Sequence, residues 1–241
     1  MLLEICASNY QSAVNAQNSG AHRIELCSEL AVGGITPSYG LIKKTIETLK
    51  IPVFVLIRPR SGNFMYSQAE FDIMKADIEL CKDLGCQGIV SGVLNEDFTI
   101  DVERTKILVE LSNPLNFTFH RAFDWTPNPF EALDVLEKIK VDRILTSGQA
   151  TSAEQGILIL NQLKELADEK ITILPGSGIN PKNALIFKGA GFKEIHCSSV
   201  LIPEVQAKNA IPMNTPQFLN DGQEMASNSE IIKAIAKLIA E

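Results

Sequence analysis

The chain has 241 residues, 45% of them apolar and 21% charged, which gives ample material for a core and no signature of disorder. Its formal net charge of -7 repels phosphate backbones and anionic lipid, so no nucleic acid and no membrane surface is expected as a partner. The opening MLLEICASNY has neither a basic region nor a long apolar stretch, and no run approaches the ~20 apolar residues of a membrane span. A cytoplasmic protein is therefore expected, with its five cysteines as free thiols, since they show no framework spacing.

The first strand is read at residues 2–7, with Ser8 as a cap for a helix over 10–19 and Gly20 as its stop. A second strand over 23–27 leads into a glycine-bearing loop, and Pro37 marks the start of a helix carrying Leu41, Ile42, Thr45, Ile46 and Leu49. The third strand, 53–57, is apolar throughout, as in a parallel sheet buried on both faces. It ends in Arg58-Pro59-Arg60. Ser67 and Glu70 form a capping box for a helix with Phe71, Met74, Ile78 and Cys81 on one side, ended by Gly85. The fourth strand spans 88–94, and Asp101 caps a helix to about residue 111.

The stretch NFTFHRAFD, 116–124, begins as a fifth strand and ends in ionisable groups. Asn128, Pro129 and Glu131 then start a helix to about residue 139. A sixth strand, 143–146, precedes Ser152 and Gln155, read as a second capping box for a helix to residue 167. The seventh strand, 171–174, runs into Pro175-Gly176-Ser177-Gly178, and Asn180-Pro181 open a short helix. The eighth strand covers 194–198. A polar irregular segment at about 203–227 follows. Ser227 and Glu230 read as the box of the last helix.

Eight strand-then-helix units without a composition break predict a parallel sheet with right-handed crossovers. In this length they predict an α/β fold, a single (β/α)8 barrel domain over 1–241. The rival, a doubly wound open sheet, usually carries G-x-G-x-x-G after its first strand. Here that turn reads CASNYQS, and no nucleotide cofactor is expected.

A barrel places its site at the carboxyl ends of its strands. Glu4 and Cys6 share a face there, as do Glu25 and Cys27. Arg58, Arg60, His120, Arg121, Asp124, Ser177, Gly178, His196 and Ser198 stand at the other strand ends, while strand starts read as mostly apolar. Glu4, Glu25, His120 and Asp124 are the candidates for acid-base chemistry. Arg58, Arg60, Arg121, Ser177, Gly178, His196 and Ser198 are the candidates for holding a small anionic ligand. Arg58 is expected to neutralise Glu25, because an unpaired inward charge is costly. Two thiols in proximity suit a soft metal; the alternative is that Cys6 and Cys27 are small buried hydrophobes.

Read together, RIELCSELAVGGITPS, VLIRPRSGNFMYS, FHRAFD, ILTSG, PGSGI and IHCSS resemble the CutC family of copper homeostasis proteins, in order from Met1 to about Val200. The resemblance implies a TIM barrel, a cytosolic location, a homodimer and a role in copper handling. It also implies that Cys6 and Cys27 are candidate Cu(I) ligands. Two positions depart from the family pattern: Ser91, where a larger residue is expected, and Ser177, within what is often an all-glycine turn. Two functions are thus in view: copper binding, or acid-base chemistry on a small anionic or phosphorylated metabolite at the barrel rim.

Overall fold

A computed structural model describes residues 1–201 and 226–240. Eight strands alternate with helices: β1 (Leu2–Ala7), α1 (Tyr10–Asn18), β2 (Arg23–Leu26), α2 (Tyr39–Thr48), β3 (Val53–Leu56), α3 (Gln68–Asp83), β4 (Gly88–Ser91) and α4 (Val102–Ser112) form the first half. The second half is β5 (Asn116–Phe119), α5 (Pro129–Lys138), β6 (Arg143–Thr146), α6 (Ile157–Ala167), β7 (Thr172–Pro175), α7 (Ala184–Gly189), β8 (Glu194–Cys197) and α8 (Ser229–Ala240). Each strand pairs in parallel with its neighbour from β1 to β7, and β8 returns to pair with β1. The result is a TIM barrel, closed by packing rather than by a hydrogen-bonded ladder at the β7–β8 seam among the described residues. Most of the expected irregular segment lies outside the described residues.

Strand parity sorts the core into two bodies. Leu3, Ile5, Ala7, Ile24, Val55, Phe117, Ile144 and Ile195 point outward and pack under the helices. Cys6, Cys27, Phe54, Leu56 and Val90 form a separate cluster in the barrel interior. The registers Cys6↔Glu25 and Glu4↔His196 follow from that parity, because aligned residues of parallel neighbours share a face.

The helix starts show which local signals prevailed. Ser67 and Glu70 form the full reciprocal box of α3. Asn9, not Ser8, caps α1 through the amide of Ser12. Asn228, not Ser227, receives the amides of Glu230 and Ile231 at α8, while Ser227 lies in a two-residue strand, β10 (Ala226–Ser227), paired antiparallel with β9 (Val200–Leu201). Ser152 accepts the amide of Gln155 at 3.4 Å, but α6 starts only at Ile157, after a further turn.

The strand starts are not apolar. Arg23 bonds Glu4 and, at 2.5 Å, Glu194. Arg143 reaches Glu194 at 3.0 Å. Both guanidiniums lie over the ring of Phe54, at 4.5 and 5.4 Å from its centroid. Two arginines and two carboxylates therefore balance in charge across the barrel floor, so no ion there is buried unpaired.

Candidate functional site

Above this floor a cavity of about 510 Å³ opens at the carboxyl rim. Its wall includes Cys6, Glu25, Arg58, His120, Arg121, Ser177, Gly178, His196 and Ser198. The remaining sequence-derived candidates lie outside the lining. Glu4 is fully buried one level deeper, and Cys27 lies behind Cys6 against the loop at Gly34.

The first two strands and β8 supply the thiol, carboxylate and imidazole groups. Cys6 Sγ lies 3.6 Å from Cys27 Sγ and 3.8 Å from Glu25 Oε1. One donor atom each from Cys6, Glu25 and His196 fall within 4.8 Å of one another. His196 Nδ1 is bonded to Glu4 at 2.7 Å and lies 4.0 Å from Glu25. Glu25 Oε2 is buried without a hydrogen-bond partner.

Burial would raise the Glu4 carboxyl, but Arg23 and His196 outweigh it and hold the group at about 2. Burial wins at Glu25, with the Glu4 charge adding to it and the His196 charge opposing, and lifts it to about 7. Burial opposes the His196 charge, yet its bonds to Cys6 and Glu4 and the two carboxylate charges raise its pKa well above the ordinary value. Cys6 is pushed well up by its contact with Cys27 and by burial. The group thus contains a carboxyl that exchanges a proton near neutrality beside a protonated imidazole.

Arg58 does not neutralise Glu25. Its Nη1 donates to the carbonyls of Val32 and Gly34 at 2.9 and 2.8 Å, and its Nη2 to that of Gly62 at 2.8 Å. The arginine that answers the inward carboxylates is Arg23. Its signal was available: it precedes Glu25 by two residues and so shares its face. Arg60 turns away from the cavity to Glu70 at 2.5 Å and to the carbonyl of Met65 at 2.7 Å. Asp124 is saturated by Arg121, Thr146, Ser147 and the Gln149 amide, so it orders the loop after β6. Arg121, held by that carboxylate, still reaches the wall.

His120 is the neutral member of the site. Burial and the Arg58 charge depress its pKa to about 3. Its Nδ1 accepts the amide of Ala122 at 3.2 Å, which places the ring proton on Nε2. The ring packs on Phe64, which in turn meets Trp125 edge-on. This aromatic wall is not legible in the sequence because Phe64 comes from a loop and Trp125 ends a single 3₁₀ turn, Arg121–Trp125, and neither stretch carries a period.

Fold and site together define a TIM-barrel protein whose rim carries a thiol–carboxylate–imidazole group together with an arginine and a neutral histidine. The CutC family model matches residues 1–201, and the chain belongs to that family. A family protein CutC of Proteus mirabilis is 45% identical over 229 residues, covering 95% of this chain and 88% of its own. The mouse copper homeostasis protein cutC homolog is 48% identical over 199 residues, covering 82% and 73%. The crystal structure of CutC from Streptococcus agalactiae superposes with a TM-score of 0.78 at 35% identity, covering 82% of this chain and 98% of that one.

Proposed function

We propose that this chain takes part in copper homeostasis by binding Cu(I) at Cys6 and Cys27, with His196 or Glu25 as a further donor. The observation that carries the reading is the pair of sulfur atoms 3.6 Å apart beside those donors. Metal–thiolate bonds of ~2.3 Å put two sulfurs on one ion roughly 3.8–4.6 Å apart, so the pair needs to open by a few tenths of an ångström or more. Thiolates also select Cu(I) over hard cations. The ion would enter at Cys6, on the cavity wall, and reach the fully buried Cys27 behind it.

Because the Cys6 thiol is held protonated, each copper bound must displace its proton. Affinity is therefore expected to rise as pH rises from 6 to 8. Titration of the reduced protein with Cu(I) against a competing chelator tests this. A Cys6→Ala/Cys27→Ala variant that binds as the parent does would remove the reading.

A second reading is favoured by one further observation: a cavity that combines a carboxyl near neutrality, Glu25, with a fixed neutral donor, His120. This suits an enzyme acting on a small anionic metabolite by proton transfer, without need of a metal. A thermal-shift screen of carboxylated and phosphorylated metabolites tests it, since a ligand at a hundredfold excess over its Kd adds about 2.7 kcal/mol. If no anion stabilises the protein, the reading fails.

A further inference from the structure

We propose that Arg58 and His120 Nε2, which meet at Phe64 in the cavity lining, form an oxyanion subsite that takes a carboxylate or phosphate oxygen of a small ligand. The proposal rests on the second reading above and names the atoms that would recognise the ligand.

The first observation is an unbalanced charge. Arg58 is 5% exposed, yet among the described residues no carboxylate lies within ion-pair distance of it. Three backbone carbonyls orient the guanidinium, and its Nε has no acceptor. Carbonyl dipoles fix such a cation without supplying a countercharge, so an arriving anion meets a charge that no carboxylate offsets. The floor arginines behave differently, since Arg23 and Arg143 both meet carboxylates.

The second observation is a donor with nothing to donate to. His120 is also 5% exposed, and its Nε2 is buried without a partner. The Ala122 amide occupies Nδ1, so the orphan nitrogen is the one that carries the proton. The ring's position is tightly specified. Phe64 lies 4.8 Å away centroid to centroid, and a Cβ on Gly92 would come within 2.8 Å of the imidazole. Glycine at 92 therefore lets the ring sit where it does. Arg58 stacks on the same Phe64 ring, 5.0 Å from its centroid.

A cation and a neutral N–H thus both pack on Phe64 and line one cavity, and among the described residues neither has an anionic partner. An oxyanion answers both: it accepts from the imidazole and balances the guanidinium. On this assignment His120 donates a hydrogen bond throughout and never serves as the base.

The chain carries a single tryptophan, Trp125, in the cavity wall against Phe64, so its fluorescence reports occupancy. Inorganic phosphate and oxalate are titrated separately into the reduced, metal-free protein, with chloride as the control. At least one of the two is expected to shift the emission saturably, and phosphate against oxalate distinguishes the source of the oxyanion. Kd is expected to rise at least tenfold in Arg58→Gln and in His120→Phe, and to change less than threefold in His120→Gln, whose amide can still donate. Histidine ring nitrogen spectra of the unaltered protein supply a readout independent of any variant's folding. His120 is expected as the Nε2–H tautomer, with that nitrogen shifting as the anion binds. If an anion binds while His120 Nε2 stays unmoved, or both variants keep the parent Kd, the subsite is overturned and the anion reading survives. If neither anion binds, both fall.

Discussion

Glu25 shows how position rather than residue type sets chemistry here. Glu4 and Glu25 lie on adjacent strands, yet one carboxyl is held at about 2 and the other at about 7. The difference is Arg23 and His196, which both bond Glu4 directly, whereas Glu25 keeps an oxygen with no partner. A folded pKa raised above the unfolded value of about 4.5 contributes stability that is fully present below pH 4.5 and lost as pH rises through 7. His196, raised well above its ordinary value, stays protonated across most of that window. Glu25→Gln removes the cost of ionising a buried carboxyl. The metal-free variant is expected to match the parent near pH 4.5 and to exceed it by about 2–3 kcal/mol at pH 8. Denaturant unfolding at both pH values checks this; an equal difference at the two would show that Glu25 does not titrate as its surroundings dictate.

At the scale of the element, legibility followed the range of the interaction. The box at Ser67 and Glu70 was readable because its partners lie three residues apart. The Ser227 assignment failed because Asn228, an equally strong cap one residue nearer the helix, prevails locally. Parity put Glu4, Cys6, Glu25 and Cys27 on one inner face, and the register aligns them accordingly. What could not be read was which distant groups meet. The carbonyls that hold Arg58 come from two glycine-bearing loops, after β2 and after β3, and the floor cluster joins β1, β2, β6 and β8. Gly88 illustrates the limit. It begins β4, and only the structure shows that a Cβ there would fall 2.5 Å from the Phe54 ring. Gly88→Ala is expected to drive Phe54 from beneath Arg23 and Arg143 and to cost about 1–3 kcal/mol. Denaturant unfolding checks the magnitude, and a near-native stability would mean that the ring can move aside freely.

Over the whole molecule, the last helix ties the two ends of the barrel together. The family match stops at residue 201, but the structure continues. Ser227 accepts from Asn15 through its carbonyl at 2.9 Å, donates its amide to Ser12 at 3.0 Å, and lies 3.4 Å from the Cys6 carbonyl. Helix α8 then buries Ile232, Ile235 and Ile239 in the outer core. It packs against α1 and α7, the helices that follow β1 and β7, and so joins the first and last units of the barrel. Those side chains remove apolar surface from water where the first and last units of the barrel meet. Because Cys6 and His196 project from the two strands under this helix, the same packing holds the rim group in register. Ile235→Ala is expected to lower stability by about 2–5 kcal/mol. It is also expected to weaken Cu(I) or anion binding by a much smaller factor than substitution of a lining residue does. A chain ended after Leu201 is expected to lose cooperative thermal unfolding altogether. Calorimetry of both variants decides: a sharp, parent-like transition in the shortened chain would show that the barrel closes without its last helix.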